Sequence, residues 1–177
     1  MQRSLVMTLI GQDRPGLVES VASLVAANGG NWLESRMSRL GGQFAGIVRV
    51  QVPASNEQSL TTALKELSSR GLHVVVHTDA TEAAASAGAI SNLEIVGQDR
   101  PGIVRQIAQA LATFGVNVEE LETECESAAM SGETLFKARA RVSIPPTCNV
   151  GELRRTLERI ASDLIVDISL EPVAAQT

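Results

Sequence analysis

No apolar run in this chain approaches the ~20 residues that a membrane-spanning helix requires, although 44% of its residues are hydrophobic. The opening Met1-Gln2-Arg3-Ser4 leads straight into an alternating pattern without the apolar core of a signal peptide, so a cytoplasmic protein with no membrane contact is expected. Only two cysteines occur, Cys125 and Cys148, both in the second half. In that compartment they are expected as reduced thiols, not a disulfide. Positive charge is also scarce. The net charge is −5, which argues against a protein that binds nucleic acid directly by neutralising phosphates.

Catalytic signatures are missing too. The chain has no Gly-x-Ser-x-Gly, no Walker sequence and no Rossmann glycine set with its spaced acid. His73 and His77, four apart on an expected strand, would share a face but stand about 13 Å apart, too far for one metal ion. Cys125 has no CxxC partner, and the adjacent Glu119 and Glu120 are expected on opposite sheet faces. A non-enzyme without metal or cofactor is the expectation.

What the chain does have is a repeat. Gly-Gln-Asp-Arg-Pro-Gly stands at Gly11–Gly16 and again at Gly97–Gly102, 86 residues later. At the same offset Leu17-Val18 matches Ile103-Val104, Gly29 matches Gly115, and Asn31 matches Asn117. Such self-similarity marks two copies of one structural unit. The charge is divided unevenly between them. Up to Ala84 there are seven basic and seven acidic residues; beyond it there are eight and thirteen.

Each copy reads β-α-β-β-α-β. In the first, Leu5 to Ile10 is a strand, and Leu17, Val18, Val21, Leu24 and Val25 form a helical stripe stopped at Asn28-Gly29-Gly30. Asn31–Leu40 and Phe44–Val52 form a hairpin across Gly41-Gly42. A helix through Leu60, Ala63, Leu64 and Leu67 follows, then a strand over Leu72–His77. The second copy repeats the order over Ala89–Leu170, with a longer hairpin. The expected fold class is α+β: two ferredoxin-like domains in tandem, each an antiparallel four-stranded sheet with both helices on one face. The domains are set at 1–79 and 89–172, with the Ala-, Thr-, Ser- and Gly-rich segment 80–88 as linker.

On the helix-free side of the second sheet, Glu120, Glu122 and Glu124 are expected to share a face with Lys137, Arg139 and Arg141 as cross-strand pairs. In the first sheet, Trp32, Glu34, Arg36 and Ser38 are expected on that side with Ala45, Ile47, Arg49 and Gln51. Trp32 and Ile47 there would suit burial against another sheet, of the sister domain or of a second subunit; Trp32 fits a capped sheet edge without a partner as well.

The repeated turn carries the candidate chemistry. Pro15 and Pro101 fit the first helical position, and Gly16 and Gly102 leave the helix start open to an approaching group. The free N–H groups beyond them, backed by the helix dipole, suit a carboxylate. Asp13 and Asp99 would receive an ammonium group, and Asn31 and Asn117 offer a donor and an acceptor. Together these suit an α-amino acid. Helix capping by Asp13 and Asp99, with Arg14 and Arg100 paired to nearby acids, fits the same residues.

Two such units opening with Gly-Gln-Asp-Arg-Pro-Gly-(Leu/Ile)-Val resemble the ACT domain, a small regulatory module that often binds amino acids. The resemblance implies that Gly11, Gln12, Asp13, Pro15, Gly16 and Asn31 line one effector site and Gly97, Gln98, Asp99, Pro101, Gly102 and Asn117 another. Effectors in this family commonly sit where two ACT domains meet; a homodimer is implied, and pairing of the two repeats within one chain fits as well. Many members have Asn where this chain has Asp13 and Asp99. A chain of two such units, with Leu135-Phe136-Lys137 and Ile144-Pro145 after a glycine-containing loop, looks most like the glycine cleavage system transcriptional repressor group. That group regulates a DNA-binding activator. The same turn also occurs in the ACT portions of formyltetrahydrofolate deformylase and some phosphoserine phosphatases. Glycine is the first effector to consider. The resemblance also fits a regulatory subunit of a separate amino-acid biosynthetic enzyme, and a pure protein-interaction module fits the residues.

Overall fold

The computed structural model describes residues 1–78, 88–127 and 134–173. The expected linker, save Gly88, and the loop 128–133 of the second hairpin lie outside the described residues. The chain divides into two compact units, Met1–Glu82 and Ala83–Thr177.

In the first unit, strand β1 (Gln2–Gln12) is followed by helix α1 (Leu17–Ala27), strands β2 (Asn31–Leu40) and β3 (Gln43–Pro53), helix α2 (Glu57–Glu66) and strand β4 (Leu72–Thr78). The sheet order is β2-β3-β1-β4, with neighbouring strands antiparallel. The repeat builds the second unit alike: β5 (Ala89–Gln98), α3 (Ile103–Thr113), β6 (Asn117–Ser127), β7 (Thr134–Ile144), α4 (Val150–Leu164) and β8 (Val166–Pro172), in the order β6-β7-β5-β8. Both are the expected α+β units.

Each core lies between sheet and helices. Alternate residues Leu5, Met7 and Leu9 of β1 meet Val48, Val50 and Val52 of β3, beneath Leu17, Val21 and Val25 of α1 and Leu60 and Leu64 of α2. The period of two on the strands and of four on α1 is what turns each set to one side. Leu93 and Ile95, Ala138, Ala140 and Val142, and Leu153 and Leu157 take the same places in the second unit. Gly41 and Gly42, with φ of 57° and 78°, close the first hairpin as the primed two-residue turn does.

A β-bulge at Leu33 corrects the expected placement of Trp32. The ladder pairs Trp32 with Val50 but Glu34 with Arg49, so one residue is skipped. An inserted residue reverses the alternation. Trp32 therefore packs against the core under the helices, while Glu34, Arg36 and Ser38 face the open side beside Ile47. The second unit repeats the device at Glu119, between the pairs Val118–Val142 and Glu120–Arg141. Glu119 does not turn to the opposite face from Glu120: its carboxylate lies 3.4 Å from the guanidinium of Arg141, the residue opposite Glu120.

The acidic and basic rows of β6 and β7 do share one face, with Glu122 opposite Arg139 and Glu124 opposite Lys137. Lys137 pairs diagonally with Glu126 at 2.6 Å, and Arg139 pairs with Glu94, directly opposite it on β5, at 3.8 Å. On so exposed a face each contributes at most a few tenths of a kcal/mol.

Candidate functional site

The repeated turn begins where β1 and β5 end. Gly11 packs there against the carbonyl of Gly71, and a Cβ would approach that oxygen to 2.5 Å. At Gly97 a Cβ would meet the Cα of Val166 at 2.7 Å. Glycine lets the outer strand close over the strand end. One further bond extends each ladder: the Asp13 N–H donates to the Gly42 carbonyl and the Asp99 N–H to the Thr134 carbonyl, both 2.9 Å.

Pro15 and Pro101 do not occupy the first helical position. The helices start at Leu17 and Ile103, after Gly16 at φ 91°, ψ 0° and Gly102 at φ 97°, ψ −2°. Those angles, each after a proline, are the third position of a type II turn, which glycine fills without strain. Inside the helices the first bonds run from the Ser20 N–H to the Gly16 carbonyl and from the Gln106 N–H to the Gly102 carbonyl, 2.9 and 3.0 Å. The N–H groups of Leu17, Val18 and Glu19, and of Ile103, Val104 and Arg105, are thus outside the helical ladder, as at any helix start. Beside them Val18 and Val104 are exposed.

Neither aspartate caps its helix through a side-chain hydrogen bond. Asp13 instead binds Arg39 of β2 at 2.7 Å, a partner that spacing alone did not indicate. Position 39 corresponds to Cys125 in the second unit, and Asp99 forms no ion pair among the described residues. Arg14 donates to the Arg70 carbonyl at 2.6 Å and Arg100 to the Gln98 side-chain oxygen at 3.2 Å; neither pairs with an acid among the described residues. The first helical turn holds Glu19 in α1 but Arg105 in α3. The second turn is therefore the more favourable for an anion at its N–H groups and leaves its carboxylate available to a cation.

The asparagines stand elsewhere. Asn31 is level with Gln51, whereas the turn leaves β1 beside Gln43. Asn117 is level with Ser143, and the second turn leaves β5 beside Leu135. Eight residues of strand separate the two levels, roughly 26 Å. The cause is topological: β2 runs parallel to β1, so the crossover through α1 returns the chain to the end where β1 began. Gly11, Gln12, Asp13, Pro15 and Gly16 are brought together, as are Gly97, Gln98, Asp99, Pro101 and Gly102; Asn31 and Asn117 are not joined to them within a unit.

His73 and His77 are exposed on the open side of the first sheet. Both cysteines are free thiols, and partial burial raises the pKa of Cys148. No helix among the described residues is long and apolar enough to cross a membrane.

With this geometry in view, the ACT domain family model matches residues 3–77 and 93–171. The chain belongs to the ACT domain family. ACT domains are regulatory modules that bind small-molecule effectors. A crystal structure of an unknown protein from Galdieria sulphuraria is similar over 98% of this chain and all of its own, at 32% identity and a TM-score of 0.88. A candidate glycine cleavage system transcriptional repressor shares the two-unit fold, with a TM-score of 0.71, 21% identity and 98% of each chain covered. Phosphoserine phosphatase SerB2 of Mycobacterium tuberculosis is 26% identical over 174 residues, 95% of this chain. The chain spans 40% of the length of that relative.

Proposed function

We propose that this protein is a non-catalytic regulator that senses an amino acid, glycine first among candidates, and controls a DNA-binding transcription activator of amino-acid and one-carbon metabolism. The observation that carries this reading is the turn Gly97–Gly102 with its helix start. Its Asp99 forms no ion pair among the described residues, and the helix that follows begins with N–H groups outside the helical ladder and carries Arg105 in its first turn. An α-amino acid has the complementary charges, its carboxylate toward the N–H groups and its ammonium toward Asp99. The Asp13 turn is the weaker of the two, because Arg39 already holds its carboxylate. The likeness to a candidate repressor of the glycine cleavage system supports the choice of pathway. The linker 80–88 is the boundary we propose between the two domains.

Asn31 and Asn117 join such a site only from another ACT unit, and we assign that unit to a second copy of the chain. The edge strands β2 and β6 leave backbone groups unpaired in their own sheets. Antiparallel pairing of one edge with another lays the start of one strand beside the end of the other, and so sets an asparagine level with the partner's turn. A cytoplasmic homodimer built this way completes the set.

Titration calorimetry with the twenty amino acids, glycine and serine first, tests the reading. Saturable binding that Asp99→Ala abolishes, with the fold retained, is expected. Heat from none of them overturns the sensor and leaves an interaction module. The likeness to part of a phosphoserine phosphatase favours a second reading, a regulatory subunit of a separate biosynthetic enzyme. The protein that co-purifies, activator or enzyme, decides between the two.

A further inference from the structure

The two turns are built alike and differ in the residue that the edge strand brings to them. Arg39 stands opposite Phe44 on β3, and its counterpart Cys125 stands opposite Phe136 on β7. Phe44 is in turn paired with Gly11 and Phe136 with Gly97, so both positions are level with the start of the repeated turn. Both phenylalanines pack on their cores. Residues directly opposite in a ladder share one side of the sheet, so positions 39 and 125 both lie on the helix side. From there the Arg39 guanidinium reaches the Asp13 carboxylate at 2.7 Å. A cysteine in the same place supplies no cation.

Room for a small ligand is not what the first turn lacks. It opens onto a hollow lined by Asp13, Gly16, Val18 and Phe44. Charge is what closes it. Arg39 already stands where a ligand's ammonium would pair with Asp13, and Glu19 lies in the first turn of α1, where negative charge repels an incoming carboxylate. We infer that residue 39 and its counterpart 125 decide which turn takes the effector: Arg39 closes the first as a built-in cation, and Cys125 leaves the second open. This rests on the reading of the turn as an amino-acid site. Each chain then fills the site at Asp99 first, and the effector distinguishes two units that the repeat made alike.

Calorimetric titration of the full chain with each of the twenty amino acids, glycine first, tests this by exchanging the two residues. The wild type should bind one molecule per chain tightly. Cys125→Arg should weaken that binding about fivefold, the scale of one exposed ion pair at the carboxylate. Cys125→Met, long but uncharged, should cost less than about twofold, because it offers no ion pair. Arg39→Cys should leave the tight site as it is and strengthen a second, weaker one about fivefold. Cys125 is exposed and so is most of Arg39, so the exchanges disturb neither core. Two equal sites per chain in the wild type overturn the inference and leave the amino-acid reading standing. So does full affinity in Cys125→Arg where Asp99→Ala abolishes binding. An equal loss in Cys125→Met and Cys125→Arg overturns the role of charge. Heat from no amino acid overturns both the sensor and this inference.

Discussion

Backbone conformation, more than contact, governs the residues of the turn. Nothing lies within 4 Å of a Cβ built on Gly16, so Gly16→Ala meets no clash, and its cost is that of a positive φ. That is about 1–2 kcal/mol, measurable by urea denaturation. Position 71 offers the converse. Gly71, at φ 79°, opens β4, and its counterpart before β8 is Ile165 at φ 56°, 64% exposed. Ile165→Gly gives up little packing and relieves a branched residue from the left-handed region. We expect a gain of about 0.5–1 kcal/mol in the second unit, read as a higher urea midpoint. Asp13 is a test of chemistry against stability. Its pair with Arg39 is largely exposed on the arginine side, so Asp13→Asn should change stability by less than about 1 kcal/mol. Thiol labelling at pH 8 should reach exposed Cys125 first, since burial keeps the Cys148 thiol protonated.

At the scale of elements, one inserted residue per unit decides what the edge strand does. Strict alternation places Trp32 with Glu34 on the open side; the bulge at Leu33 moves it under the helices and leaves the later residues in the expected phase. Deleting Leu33 would restore alternation at the cost of the core contact. Trp32→Ala should cost about 2 kcal/mol, less than a fully buried aromatic because Trp32 is half-buried; a chain with Trp32 on a solvated face would lose almost nothing. The hairpins, the helical stripes and the order of elements along the chain were legible in the sequence, because each depends on a period or a turn signal within ten to twenty residues. The bulge was not. It adds no glycine and no proline, and only the pairing of β2 with β3 reveals the skipped residue. The same holds for Arg39, brought to Asp13 by a register that spans β2, β3 and β1.

Over the whole molecule, the two cores are separate sets of residues, and the single tryptophan reports on the first alone. Leu60→Ala should lower the midpoint seen by Trp32 fluorescence, with a loss of about 2–5 kcal/mol. Leu153→Ala, as deep in the second core, should shift the far-UV circular dichroism transition and leave the fluorescence midpoint in place. A common midpoint for both variants would show that the units unfold as one. The sequence by itself determined that the chain is a duplicated βαββαβ unit and, apart from the start of each bulged edge strand, which hairpin faces build each core, because repeats and periods are properties of neighbouring residues. The tertiary structure alone decided that each asparagine stands at the far end of the sheet from its turn, and that one aspartate is already paired. Parallel strands joined by a crossover begin at the same end, and ion pairs form across registers that no local spacing encodes.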